Sequence, residues 1–306
     1  MVVAAAPLFV MAYLLFDYIR FLVVGSFVYG LFPTEGMCIW KAIIIGIVTY
    51  FVVVLWGLVL YVIRQMMRRL KRCLYYMLPL RCIIFLLIFM IAAVVFGKQM
   101  EEIGNWWSII ASIVNIGTIW ILVSLEKKQG IDYWQLIHYQ KGETTWKQIV
   151  GMVVIILLVG MAGMYLAGYV CYGVIPYAAP MMIAPIPLWL ATINIIVLPI
   201  STAFAEDGLY LGCGVNQIKN KYTAVIVPAL FFALQHSFIP TLFDMKYVLY
   251  CFLSFLPLAI ILCWYYYKKR NPLPIMVGHA VIDMATVMQI FATSLIPGLY
   301  EKMCAM

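Results

Sequence analysis

The chain has 306 residues, of which 66% are hydrophobic and 10% charged, with a mean hydropathy of +1.04 and a formal net charge of +8. Soluble domains run near half apolar and a quarter charged, so a soluble fold is excluded. Topology and anionic lipid headgroups account for the positive charge, and no nucleic-acid partner is required.

Apolar stretches long enough to cross a bilayer recur along the whole chain. They read as helices, because runs such as Ala42 to Val62 are apolar on every face, whereas barrel strands alternate. The spans fall at 8–32, 39–63, 79–97, 105–125, 149–175, 187–213, 223–243, 247–267 and 273–297. The fold class is thus an all-α polytopic membrane protein of nine transmembrane helices, with eight as the alternative count. The first span lacks a basic flank and a small-residue cleavage site and is expected to remain in place. It carries Asp17 and Arg20, three residues apart on one helix and able to neutralise each other.

The basic cluster at 64–72 reads as an orientation signal. With the N-terminus inside, fifteen Lys and Arg residues, Arg81 among them, fall on the cytoplasmic side. Only Lys41, Lys98, Lys246 and Lys302 fall on the other. This bias suits a plasma membrane or an endoplasmic reticulum. The loop 126–148, with Trp134, His138 and Trp146, has the character of an interfacial segment, and His138 reads as a solvated loop residue. Gly160, Gly163 and Gly168 are expected to permit close helix packing. Eight scattered cysteines show no metal-type spacing and read as apolar filler. Residues 1–186 form N-terminal transmembrane helices with basic loops, and 187–297 form the segment that carries the chemistry, within one membrane domain.

Charge at bilayer depth is costly, so each buried ionisable residue is a functional candidate. Apart from Asp17 and Arg20, the spans bury Glu206, Asp207, His236, His279 and Asp283. The sixth and seventh spans form a hairpin whose tip lies near Asn220 and Lys221. Glu206 and His236 are fourteen and fifteen residues from it, about 21 to 23 Å at helical rise. They should be level. Asp283 follows His279 by four residues and shares its helix face. A glutamate and two histidines at one depth suit water activation: the carboxylate takes a proton, while imidazole shares that work, stabilises an oxyanion or binds a metal. If zinc is the cofactor, Glu206, His236 and His279 are its candidate ligands.

The segments Glu206-Asp207-Gly-Leu-Tyr210-Leu211-Gly212, Phe232-Ala-Leu-Gln-His236 and His279-Ala-Val-Ile-Asp283 resemble three motifs, EExxxR, FxxxH and HxxxN. These are the motifs of the CPBP family, the CAAX proteases and bacteriocin-processing enzymes also called Abi proteins. The resemblance implies that Glu206 is the general base for water, assisted by His236, and that His279 and residue 283 stabilise the oxyanion. Asp207 and Phe232 then support the site. Three positions depart from the motifs: Asp207 replaces glutamate, Leu211 replaces arginine, and Asp283 replaces asparagine. The second departure removes the cation expected beside the acidic pair. Asp283 would have to donate in its protonated form or orient the His279 ring.

The expected function is an intramembrane endopeptidase acting on a membrane-associated protein or peptide precursor, lipidated or not. Two alternatives stand beside it: a catalytically silent scaffold or immunity protein of the same family, and a proton-coupled transporter, since buried Asp, Glu and His also form proton relays.

Overall fold

The computed structural model describes residues 77–127, 130–175 and 179–304, all within one compact unit spanning 73–306. The expected spans 8–32 and 39–63, the Asp17–Arg20 pair and the 64–72 cluster lie outside the described residues. The described chain is helical, with one isolated bridge between Phe238 and Thr241.

In chain order the helices are α1 (Met77–Phe96), the short α2 (Met100–Gly104), α3 (Trp107–Lys127), the single-turn α4 (Tyr133–Leu136) and α5 (Trp146–Tyr172). After a 3-10 turn at Pro180–Ile183 come α6 (Leu188–Thr202) and a π-helical segment, Ala203–Val215. The chain then continues through α7 (Lys221–His236), α8 (Met245–Lys269), α9 (Leu273–Leu295) and α10 (Leu299–Cys304).

Among the described residues, six helical segments are long and apolar enough to cross a membrane: α1, α3, α5, α6 with its π continuation, α8 and α9. The protein is therefore an all-α, multi-pass membrane protein. The expected span 223–243 is shorter than the sequence suggested. Helix α7 begins at the Asn220 cap, whose side chain accepts from the Tyr222 and Thr223 N–H groups, and stops at His236. The apolar residues after it form a turn held by the Ser237 hydroxyl on the Val248 carbonyl. Hydropathy alone cannot distinguish such a turn from continued helix.

Helix α8 packs on α7 and α5, and α9 packs on α6 and α5. Glycines set the closest approaches. A Cβ at Gly163 would collide with the Ser254 backbone carbonyl of α8, and one at Gly160 would stand 2.8 Å from Ile282 Cδ1 of α9. The small residues of α5 thus let its backbone approach its neighbours, as small residues do between membrane helices.

The π segment is the unusual element. Extended π-helix is rare and tends to mark functional positions. Pro199 lies within α6 just before it, and proline removes a ladder donor and crowds the preceding turn. Gly208, Gly212 and Gly214 then leave room for neighbours at the wider turns. Tyr133 covers Gly208, Leu136 covers Gly212 and Pro228 of α7 covers Gly214, each within 2.9 Å of where a Cβ would stand. The loop 126–148 therefore docks its α4 turn directly on the π segment, more intimately than an interfacial segment requires.

Candidate active site

The π segment buries two consecutive acids, Glu206 at 3% exposure and Asp207 at 1%. Each has its own basic neighbour. Asp207 Oδ1 lies 3.3 Å from His279 Nδ1 of α9. Glu206 Oε1 accepts from the Arg81 guanidinium of α1 at 3.1 Å. Two adjacent carboxylates in a bilayer-depth core need such compensation, because unpaired buried charge is strongly disfavoured.

The second oxygen, Glu206 Oε2, makes no hydrogen bond. It faces His279 Nε2 at 3.8 Å and His236 Nε2 at 3.9 Å. Glu206 and His236, which residue counting placed level, are thus in contact, and His279 joins them.

Both imidazoles are oriented through their other nitrogen. His236 Nδ1 lies 2.7 Å from the Phe232 carbonyl one turn back, so this nitrogen carries the proton and donates. Its ring stacks on Phe255 at 3.7 Å between centroids. His279 is held by Asp207 in the same way. Phe232 packs against both, 5.2 Å from the His236 ring and 5.7 Å from the His279 ring, and meets Tyr210 edge-on. Its supporting position is that of an apolar ring packed against both imidazoles.

Asp283 lies in the electrostatic reach of His279, Glu206 and Asp207, beside Thr202, with Oδ2 unpartnered. The residue that holds the His279 ring is Asp207, and not Asp283 as one reading of the sequence had it.

The sequence reading missed Arg81. The charge bias counts Arg81 among the cytoplasmic basic residues, and Leu211 in the first motif leaves the acidic pair without a cation of its own. Arg81 is instead buried at 2% exposure, and its guanidinium reaches four side chains. Nε donates to Gln235 Oε1 at 2.6 Å, Nη1 to Thr118 Oγ1 at 2.6 Å, and Nη2 to Asn115 Oδ1 and Glu206 Oε1. Gln235 Oε1 also accepts from the Tyr210 hydroxyl at 2.9 Å. Asn115 in turn donates to Thr202 Oγ1 at 2.9 Å. A signal was present: Arg81 interrupts the apolar run of its span, and Ser108, Ser112, Asn115 and Thr118 recur on α3 at spacings of four, three and three. That is one helix face awaiting polar partners.

Among the described residues no group of three His, Cys, Asp or Glu side chains has metal-holding geometry. His138 is exposed on its loop, with its pKa lowered by partial burial and by Arg270 nearby.

A family model described as type II CAAX prenyl endopeptidase Rce1-like matches residues 187–285. No curated protein and no solved structure matches the chain. The matched segment contains Glu206, Asp207, Phe232, His236, His279 and Asp283, while Arg81, Asn115, Thr118 and Tyr133 precede it. Residues 187–285 are thus similar to the Rce1-like type II CAAX prenyl endopeptidases, in keeping with the three CPBP-type motifs that this segment carries.

Proposed function

We propose that the protein is an intramembrane endopeptidase that hydrolyses a peptide bond in a membrane-associated, prenylated substrate, with Glu206 as the base that activates water. The observation that carries this reading is the free Glu206 Oε2 facing two imidazole Nε2 atoms at 3.8 and 3.9 Å. Those gaps exceed a direct hydrogen bond, and the three polar atoms converge on one region.

In the reaction, a water beside Oε2 gives its proton to Glu206 as its oxygen adds to the scissile carbonyl. His236 accepts through Nε2, since its Nδ1–H is committed to Phe232, and so helps to hold the water. His279, in its imidazolium form balanced by Asp207, presents Nε2–H to the oxygen that becomes negative. Asp283 in its acid form is a second donor to that oxyanion. Collapse of the tetrahedral intermediate breaks the C–N bond, and the proton held by Glu206 passes to the leaving amine. By the positive-inside bias, the bundle end bearing Lys268, Lys269 and Arg270 faces the cytoplasm.

The reading is tested with purified full-length protein and a farnesylated peptide ending in a CAAX sequence. Glu206→Gln is expected to abolish cleavage while the protein remains folded in detergent. Undiminished cleavage by that variant would overturn the assignment.

A further inference from the structure

We propose that Arg81 is a positioning residue for Glu206, supplying from α1 the positive charge that Leu211 does not supply from within the π segment. The inference rests on the reading of Glu206 as the base.

The geometry is specific to one carboxylate oxygen. The guanidinium engages Oε1 and leaves Oε2 toward the histidines. The remaining donors are anchored on two helices, to Gln235 of α7 and to Asn115 and Thr118 of α3. Such a fork has little freedom to rotate, so Glu206 is fixed in rotamer as well as charge. The other groups around Glu206 are His236 from α7, His279 and Asp283 from α9, and Asp207 from its own segment. Asp207 is matched by His279, and the permanent cation among these groups is Arg81.

Leu211 explains why the charge can arrive from elsewhere. A π-helix closes one turn with each i to i+5 hydrogen bond, so Leu211 stands one turn beyond Glu206 on the same side. It is buried at 2% exposure in the apolar cluster that includes Met77, Leu78 and Phe232. A cation at 211 would serve the acid from along its own helix, whereas Arg81 serves it from across a helix interface. Within the described residues, α1 is thereby tied to a site whose other members come from 206 onward.

The test compares full-length Arg81→Met, Arg81→Lys and the double variant Arg81→Met/Leu211→Arg, each checked for folding by its thermal transition in detergent. Two readouts are taken: kcat and KM on the farnesylated CAAX peptide, and the infrared carboxylate stretch of Glu206 at pH 7, identified by its loss in Glu206→Gln. Arg81→Met is expected to lower kcat by about a hundredfold or more, within the range for a mispositioned base, with little change in KM. It should also replace the Glu206 carboxylate stretch with a protonated carboxyl band. Arg81→Lys, which keeps the charge but loses the fork, should retain the carboxylate stretch but only part of kcat, and the double variant should regain both in part.

A folded Arg81→Met with an unchanged stretch and kcat overturns the proposal. So does an Arg81→Lys that loses the carboxylate stretch as Arg81→Met does, because a cation at 81 then has no part in keeping Glu206 ionised. If Arg81→Met does not fold, Arg81→Lys decides: loss of its carboxylate stretch overturns the proposal, and retention supports it. The infrared readout needs no turnover, so a wild-type protein inactive on the peptide counts against the peptidase reading and leaves the Arg81 result interpretable.

Discussion

Asp207 holds His279 through Nδ1 at 3.3 Å, and that contact decides which nitrogen of His279 faces Glu206. The two residues lie on different elements, so the ring orientation depends on how the π segment meets α9. Asp207→Asn keeps the size but removes the charge that balances an imidazolium. The expected outcome is a fall in kcat of about a hundredfold, the lower end for loss of one acid–base function, with KM little changed. Asp207→Glu should be less impaired than Asp207→Asn. Steady-state kinetics on the farnesylated peptide measures both, and equal activity of Asp207→Asn and wild type would remove Asp207 from the site.

Tyr133 donates its hydroxyl to the Phe204 carbonyl at 2.6 Å, and its ring lies over Gly208. A methyl at 208 would stand 2.8 Å from the ring and hydroxyl of Tyr133, so one of them must move. Gly208→Ala should destabilise the protein by about 1–3 kcal/mol, as overpacking does. Because the obstacle is a side chain, Tyr133→Ala should relieve part of that cost. A double-mutant cycle by thermal unfolding in detergent then gives a coupling term of opposite sign to the single effects. Additive effects would show that the two positions do not press on each other.

Gly163 offers the contrast. Its obstacle is the Ser254 backbone carbonyl, which no truncation can withdraw. Gly163→Ala should therefore destabilise the α5–α8 interface and resist rescue by Ser254→Ala. The measurement is the midpoint of thermal unfolding for both single variants and the pair. A Gly163→Ala protein as stable as wild type would mean that α5 and α8 can part without loss.

The depth of Glu206 and His236 was legible because a hairpin of known tip converts residue counts into height, and the structure puts the two side chains 3.9 Å apart. His279 was legible as a buried ionisable residue of the last span, but its contact with Glu206 depends on the packing of α9. Arg81 was not legible as a site residue because its position near the start of a span, close to the basic 64–72 cluster, matches that of an orientation charge. What distinguishes it is burial among Gln235, Asn115, Thr118 and Glu206, which is a property of helix packing. The π segment was equally hidden, since a change from 3.6 to wider turns leaves no separate mark in a stretch that is apolar apart from its acids. The early end of α7 at His236 was hidden by the apolar residues that follow it.

Arg81 argues against a metal shared by Glu206, His236 and His279. One oxygen of Glu206 already shares its negative charge with a guanidinium at 3.1 Å. A dication held between Oε2 and the two Nε2 atoms would lie across the same carboxylate from that cation, and like charges at such separations repel strongly in a low-dielectric core. It would also occupy the carboxylate that must take a proton from water, so Glu206 could not serve freely as base. The expected outcome is that cleavage of the farnesylated peptide survives dialysis of the full-length protein against a strong chelator, with kcat unchanged within error, and that added zinc inhibits by competing for the histidines. Chelation that abolishes activity, followed by recovery on adding stoichiometric zinc, would replace the glutamate-base mechanism with a metal-assisted one and reassign His236 and His279 as ligands.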